Sequence, residues 1–168
     1  MARKSLKYPQ GIVECINATY GRGTILAAKS GAGVNGMTIG WIHAGFAWGR
    51  PCVTVMVRPS RHTHKVIEQA DSFTVSVLPK SLQAAVDLFG TKSGRDMDKF
   101  EAAKITAAKA ESVDSVYVKE ATLVIECKIS FKQPMDATLI SADYVKKCYG
   151  SGDYHTLYFG EVTAIHGK

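Results

Sequence analysis

The stretch Val57-Arg58-Pro59-Ser60-Arg61-His62-Thr63 marks the passage from a strand to a short helix. An apolar run over residues 51–57 precedes it, and Val66, Ile67 and Ala70 then fall on one face of a helix. The first turn of a helix exposes unpaired N–H groups and the positive end of the helix dipole, so acidic side chains are expected there. This helix start carries cationic and histidine side chains instead: Arg58, Arg61, His62, His64 and Lys65.

A bound anion would resolve this conflict, because backbone N–H groups, arginines and hydroxyls together form a phosphate site. Ser60 and Thr63 supply the hydroxyls. A simpler interpretation of the same stretch stays open, in which Ser60 only caps the helix and the cations lie in solvent.

Patterns on both sides of this stretch predict about seven strands and two or three short helices. The clearest helix is the one in which Leu82, Ala85, Val86 and Phe89 share a face between Ser81 and Gly90. Most connections between strands are too short to hold the helix that parallel strands need, so a mostly antiparallel barrel or sandwich is expected. The strand predictions are residues 24–29, 37–42, 52–57, 72–78, 117–131 (most clearly 121–131), 136–147 and 154–165.

No repeat or linker divides the chain, which predicts one domain over residues 1–168. Residues 1–22 are expected to form an N-terminal arm, polar and basic over the first half and open in its role. The chain has 168 residues, 46% of them hydrophobic and 21% charged, a balance that excludes a disordered protein. The net charge of +6 favours an anionic partner without deciding which kind.

Four scattered cysteines without a C-x-x-C pair predict free thiols in a reducing cytoplasm. No apolar run approaches the length that spans a bilayer, so a cytoplasmic protein without membrane association is expected. The histidines lack ligand spacing with any acid or cysteine, and no metal is predicted.

Residues Gly31, Gly33 and Gly36 spell G-x-G-x-x-G after a strand, the fingerprint of a dinucleotide-binding turn. That fingerprint should open a helix, whereas β-branched and aromatic residues follow here, and residues 52–57 contain no acid. The glycines are therefore expected in a hairpin-like turn.

Five motifs occur in an order that resembles the flavin reductase-like FMN-binding proteins, closest to their flavoredoxin-type branch. The motifs are NGMTIGW, WGRPCVTVMVRPSRHT, FTVSVLP, GTKSGRDMDKF and DYHTLYFGEV, which run from about residue 23 to residue 162. The resemblance implies a mainly β fold, namely a split β-barrel of Greek-key type with a few short flanking helices. It also implies a homodimer and a bound FMN.

The resemblance also assigns residues to the cofactor. The flavin ring and ribityl chain would lie along Asn35, Gly36, Met37, Thr38, Ile39 and Trp41. The phosphate would meet Arg58, Ser60, Arg61 and Thr63. The resemblance also brings Ser93, Gly94, Arg95 and Lys99 towards the cofactor, either within one subunit or from across the dimer interface.

Alternatives stay open for several of these residues. Trp41 also suits a core or a dimer interface. The charged loop of residues 95–99 also suits a self-paired surface segment. His155 would lie near the flavin or the nicotinamide as a catalytic candidate, yet an isolated strand histidine is more often structural, and hydride transfer needs no general base.

The leading hypothesis is an oxidoreductase that reduces its flavin, or free flavin, with NAD(P)H. A flavoredoxin-like electron carrier reduced by another redox protein comes second, because no nicotinamide motif is visible. A non-enzymatic binder of nucleic acid or another polyanion is a remote third. No nucleic-acid partner is predicted, because the cations are not interleaved with stacking aromatics.

Overall fold

The computed structural model describes residues 3–168, where one antiparallel sheet of eight strands organises the chain. Its strand order is β3-β2-β6-β9-β10-β5-β4, with β1 added on β10, and β7 and β8 pair separately. The strands are β1 (Lys4–Ser5), β2 (Thr24–Ser30), β3 (Gly33–Ile39), β4 (Ile42–Ala47), β5 (Arg50–Val57), β6 (Ser72–Val77), β7 (Ala107–Lys109), β8 (Val116–Val118), β9 (Leu123–Pro134) and β10 (Thr156–Gly167). The α-helices are α1 (Ile12–Arg22), α2 (His62–Glu68), α3 (Gln83–Thr91), α4 (Lys99–Ala102) and α5 (Ala142–Cys148).

The central strands are buried on both faces, which gives the sheet two apolar cores. On β2, Leu26 and Ala28 belong to the larger core, whereas Ile25 packs in the smaller one with Phe89 of α3. This alternation follows from the two-residue period of a strand. The predicted mainly β fold with a few short helices is confirmed.

The glycine-rich segment forms a tight hairpin, as predicted. Strands β2 and β3 pair up to Ser30 and Gly33, so only Gly31 and Ala32 form the loop. Gly33 has a φ of 108°, a conformation that side chains with a Cβ rarely adopt. The G-x-G-x-x-G pattern therefore turns one strand into the next and opens no helix.

Two sequence predictions were wrong in detail. The strand expected over residues 136–147 is a 3₁₀ turn, Ala137–Leu139, followed by α5. Asp136 accepts a hydrogen bond of 2.8 Å from the Thr138 N–H, which favours a turn over an extended strand. The run expected over residues 37–42 is divided between the end of β3 and the start of β4.

The expected N-terminal arm is part of the folded body over its described residues. Helix α1 buries Ile12, Cys15 and Ala18 against the sheet. Strand β1 pairs with the end of β10. Within residues 3–168, every helix is too short or too polar to traverse a bilayer.

Candidate functional site

A cleft of about 180 Å³ opens where α2 begins, beside β3 and the end of α3. We call it the cationic cleft. Strand β3 contributes Asn35, Met37 and Thr38, the start of α2 contributes residues 60–63, and the far wall is residues 89–95 with Lys99.

A second cleft of about 180 Å³ adjoins the first, since Met37, Thr38 and Arg61 line both. Its other walls are Ile39, Gly40, Trp41, Met56, Arg58 and His155. We call it the Trp41 cleft. The two form one groove along β3, with cations at one end and an aromatic wall at the other.

The cationic cleft holds a buried lysine. Lys99 is 3% exposed, and its Nζ donates to the Phe89 carbonyl oxygen at 3.2 Å and lies 4.9 Å from the Phe89 ring centre. Burial, followed by the charge of Arg61, lowers the pKa of Lys99 to about 8. Burial and then Arg95 likewise lower the pKa of His62.

The cations of this cleft have no acidic partner among the described residues. Within residues 3–168, no carboxylate oxygen lies within 4.0 Å of the charged nitrogens of Arg61, Arg95 or Lys99. An unpaired buried cation is unfavourable, and an anion in the cleft would relieve that cost. The cleft therefore has the composition of an anion site.

The loop that closes the cationic cleft is fixed by close contacts. Arg95 Nη1 donates to the Ser60 carbonyl oxygen at 3.1 Å, and Ser93 Oγ accepts from the Arg95 N–H at 3.2 Å. A Cβ on Gly94 would lie 2.3 Å from Asn35 Oδ1, so only glycine fits there. The buried Asn35 in turn donates from Nδ2 to Thr63 Oγ1 at 2.9 Å, which leaves the Thr63 hydroxyl hydrogen available.

Two residues predicted at the phosphate have other partners. Arg58 donates to the carbonyl oxygens of Asp153 and Cys148, at 3.1 and 2.8 Å, and lies over the Tyr149 ring. Ser60 donates from its hydroxyl and its N–H to the Asp153 carboxylate. Arg58 thus contributes positive charge to the Trp41 cleft, while Arg61 and Thr63 remain at the cationic cleft.

The Trp41 cleft contains a buried, neutral histidine. His155 is 8% exposed, its Nδ1 lies 2.8 Å from the Tyr149 hydroxyl, and its ring centre lies 5.0 Å from that of Trp41. Burial and the nearby charge of Arg58 lower the pKa of His155 to about 4, so the ring is neutral at pH 7. Trp41 is 43% exposed, which makes it a wall of the cleft rather than a core residue.

The structure brings the predicted site residues together. All of them except Gly36 line one of the two clefts. A Cβ on Gly36 would meet the Leu26 carbonyl oxygen and the Phe89 ring at 3.0 Å, so its role is to let α3 pack closely. Sequence reasoning missed Met56, His62 and Phe89 as lining residues; the position of His62 in the cationic stretch was the available signal.

No group of three or more metal-ligating side chains lies together within residues 3–168. All four cysteines are free thiols.

The comparisons with known proteins agree with this geometry. The family model described as flavin reductase like domain matches residues 19–168. An uncharacterised protein of Archaeoglobus fulgidus is 27% identical over 157 residues, which are 93% of this chain and 78% of that protein. A high molecular weight rubredoxin of Moorella thermoacetica is 34% identical over 83 residues, which are 49% of this chain and only 35% of that protein.

Solved structures show the same fold at low identity. The flavoredoxin of Desulfovibrio vulgaris (Miyazaki F) has a TM-score of 0.69 at 21% identity, over 87% of this chain and 69% of that one. The NADH:FAD oxidoreductase SgcE6 of Streptomyces globisporus has a TM-score of 0.64 at 20% identity, over 98% of this chain and 88% of that one. These likenesses establish the split β-barrel predicted from the sequence.

Proposed function

The chain belongs to the flavin reductase-like domain family, and from that premise we propose that it binds FMN along β3 and transfers electrons through it. The observation that carries the proposal is the buried Lys99 beside Arg61, two cations without an acidic partner in the part of the chain that the structure describes. A phosphate monoester is nearly dianionic at neutral pH and matches this charge.

The donors of the cationic cleft fit a phosphate. Arg61 and Lys99 supply positive charge, and the Thr63 hydroxyl supplies a hydrogen that Asn35 leaves free. Arg95 is tied to the Ser60 carbonyl oxygen by only one of its nitrogens, so its other N–H groups can still donate. Charge-assisted hydrogen bonds of this kind are the strong ones in proteins.

The Trp41 cleft fits a flat ring. Ile39, Met56 and Trp41 form apolar and aromatic walls, and Arg58 and Arg61 place positive charge beside them. Positive charge there favours a ring that carries negative charge after reduction. A bound flavin would supply hydride and single-electron chemistry.

The hydrogen bond between His155 and Tyr149 determines which nitrogen of His155 carries a proton at the ring end of the groove. A phenol hydroxyl has one hydrogen, and an imidazole nitrogen is a better acceptor for it than the Met135 sulfur at 3.2 Å. With that hydrogen on Nδ1, the other ring nitrogen, Nε2, carries the proton of the neutral imidazole and is a hydrogen-bond donor. His155 then serves as a neutral donor and not as an acid at pH 7.

We propose an NAD(P)H-dependent oxidoreductase that reduces its own or free flavin, supported by the likeness to an NADH:FAD oxidoreductase. A flavoredoxin-like carrier that accepts electrons from another redox protein is the second candidate. The likenesses to a flavoredoxin and to a rubredoxin of high molecular weight favour it.

We further propose a homodimer in the cytoplasm. Three of the four free cysteines are buried in the apolar interior, as expected of a chain in a reducing compartment. The outer face of the sheet leaves Phe46 and Trp48 exposed by 72% and 70%, which suits a covered interface.

The visible absorption spectrum of the purified protein tests the flavin proposal, and anaerobic addition of NADH or NADPH then separates the two functions. Bleaching by either nucleotide identifies the reductase. A protein that stays yellow until a reduced ferredoxin is supplied is the carrier. A colourless protein that also leaves the fluorescence of added FMN unquenched contradicts both.

A further inference from the structure

A pocket larger than either cleft adjoins the groove assigned to the flavin. It has a volume of about 800 Å³ and lies between α1, the start of β4 and the 135–149 segment that ends in α5. We call it the α1–α5 pocket. Pockets of roughly 300–1,000 Å³ are the size that binds small molecules.

Four tyrosine and tryptophan side chains line this pocket, and three of them are exposed. Tyr20 is 92% exposed, Tyr144 63% and Trp41 43%, whereas Tyr149 is buried. Tyrosine and tryptophan present large flat surfaces that stack on other aromatic rings. The pocket therefore suits a planar aromatic molecule.

The charged side chain that lines the pocket is positive. Lys147 of α5 lines it and makes no ion pair within residues 3–168, while no lining residue is acidic. The acids nearest to lining residues along the chain, Glu14, Asp136 and Asp143, lie outside the lining. An anionic group on the ligand would pair with Lys147, as Arg61 and Lys99 would with the phosphate.

We propose that the α1–α5 pocket binds a small planar aromatic carboxylate. The ligand would lie beside the flavin groove, since Gly40, Trp41 and Met56 line both this pocket and the Trp41 cleft. The inference does not depend on the phosphate site, because Arg61, Lys99 and the rest of the cationic cleft do not line this pocket. A second copy of the chain is a less suitable occupant, since the exposed apolar side chains Phe46 and Trp48, which suit a subunit interface, do not line this pocket.

Calorimetric titration with 2-naphthoate tests this assignment on the protein with saturating FMN. Two probes separate the contributions: 2-naphthamide keeps the rings without the charge, and cyclohexanecarboxylate keeps the charge without the aromatic plane. We expect saturable binding of 2-naphthoate, weaker binding of the amide, and no measurable binding of the aliphatic acid.

Variants locate the probe. Lys147→Gln should weaken 2-naphthoate roughly three- to tenfold and leave the amide unchanged, because only the ion pair is lost. Tyr144→Ala should weaken both probes to a similar extent. Lys146→Gln is the matched control, an exposed neighbour on α5 outside the pocket lining, and should change neither.

Four results would overturn the proposal. The first is the absence of saturable heat at millimolar 2-naphthoate, and the second is equal affinity of the wild type and Lys147→Gln for 2-naphthoate. The third is release of FMN by the probe, and the fourth is a fall in the molecular mass of the assembly in solution when Tyr144 is replaced by Ala. The third would place the probe in the Trp41 cleft, and the fourth would make this face a subunit interface. If the protein binds no FMN, the same titrations on the flavin-free protein test the pocket by the same outcomes.

Discussion

Among single residues, Lys99 gives the most specific prediction of how the stability of the protein depends on pH. Its pKa of about 8 in the folded protein lies below the usual value of about 10.4, so the unfolded chain binds more protons between these limits. The free energy of unfolding of the flavin-free protein should therefore rise with pH from about pH 8 to about pH 10. Urea unfolding at a series of pH values measures this rise, which Lys99→Met should remove.

The same residue predicts the opposite trend for the cofactor. A phosphate interacts with the protonated amine, so FMN affinity should fall as the pH rises through about 8. Lys99→Met should bind FMN roughly ten- to hundredfold more weakly at pH 7 and lose this pH step. Riboflavin, which lacks the phosphate, is the control, and an equal pH step for riboflavin would show that Lys99 does not meet the phosphate.

We expect His155 to stabilise the fold rather than to take part in flavin reduction. His155→Ala leaves the Tyr149 hydroxyl with only the Met135 sulfur as partner, so it should lower the free energy of unfolding by about 1–3 kcal/mol. The rate of flavin reduction per folded molecule should change little, and the wild-type rate should show no pH step between pH 5 and 8 from this residue. Stopped-flow reduction at several pH values checks both, and a large loss of rate without loss of stability would contradict the structural role.

Single site residues were predictable from the sequence where several charged and hydroxyl side chains lie close together along the chain. The cations and hydroxyls of residues 58–63 predicted an anion site, and of these residues Arg61 and Thr63 line the cationic cleft. The partners of Arg58 and Ser60 could not be predicted, because Asp153 lies more than ninety positions along the chain. Only the folded sheet brings that loop to the start of α2.

At the scale of elements, the 92–98 loop depends on a glycine. Gly94→Ala would push a methyl group into the Asn35 amide, which holds Thr63. We expect loss of FMN affinity by roughly tenfold or more, with a moderate loss of stability. Gly21→Ala is the control, since its Cβ would meet nothing within 4 Å, and it should stabilise α1 by about 0.5–1 kcal/mol.

Fluorescence titration with FMN and thermal unfolding compare the two glycine variants. Equal FMN affinity in both would mean that the loop does not shape the site.

Elements with a regular pattern and clear ends were predictable, and the others were not. Glycines marked the β2–β3 hairpin, and an i, i+3, i+4, i+7 stripe marked α3. The ends of α3 were less exact, since the helix begins at Gln83 and runs past Gly90 to Thr91. Segment 136–147 alternates enough to resemble a strand, yet Asp143 in the first turn and Lys146 and Lys147 in the last suit a helix dipole. Those charges, and the spacing of Ile12, Cys15 and Ala18 on α1, were the signals that sequence reasoning overlooked.

At the scale of the whole molecule, the exposed aromatic face of the sheet predicts a dimer. Trp48, Phe131 and Phe159 lie with ring centres 5.5–6.3 Å apart on this face. Light scattering at micromolar concentration should give twice the chain mass of 18.2 kDa, and Trp48→Glu should shift the protein towards the monomer. A wild-type monomer that still binds flavin would contradict the dimer proposal.

The anion site itself is tested most directly by titrating FMN and riboflavin against the wild type and Arg61→Ala. Loss of one or two hydrogen bonds to a charged phosphate should weaken FMN roughly ten- to two-hundredfold while riboflavin affinity hardly moves. Lys65→Ala, which removes an exposed cation of the same helix outside both clefts, should leave both affinities unchanged. Equal FMN affinity in wild type and Arg61→Ala would contradict the account, because the phosphate would then lie somewhere other than the cationic cleft.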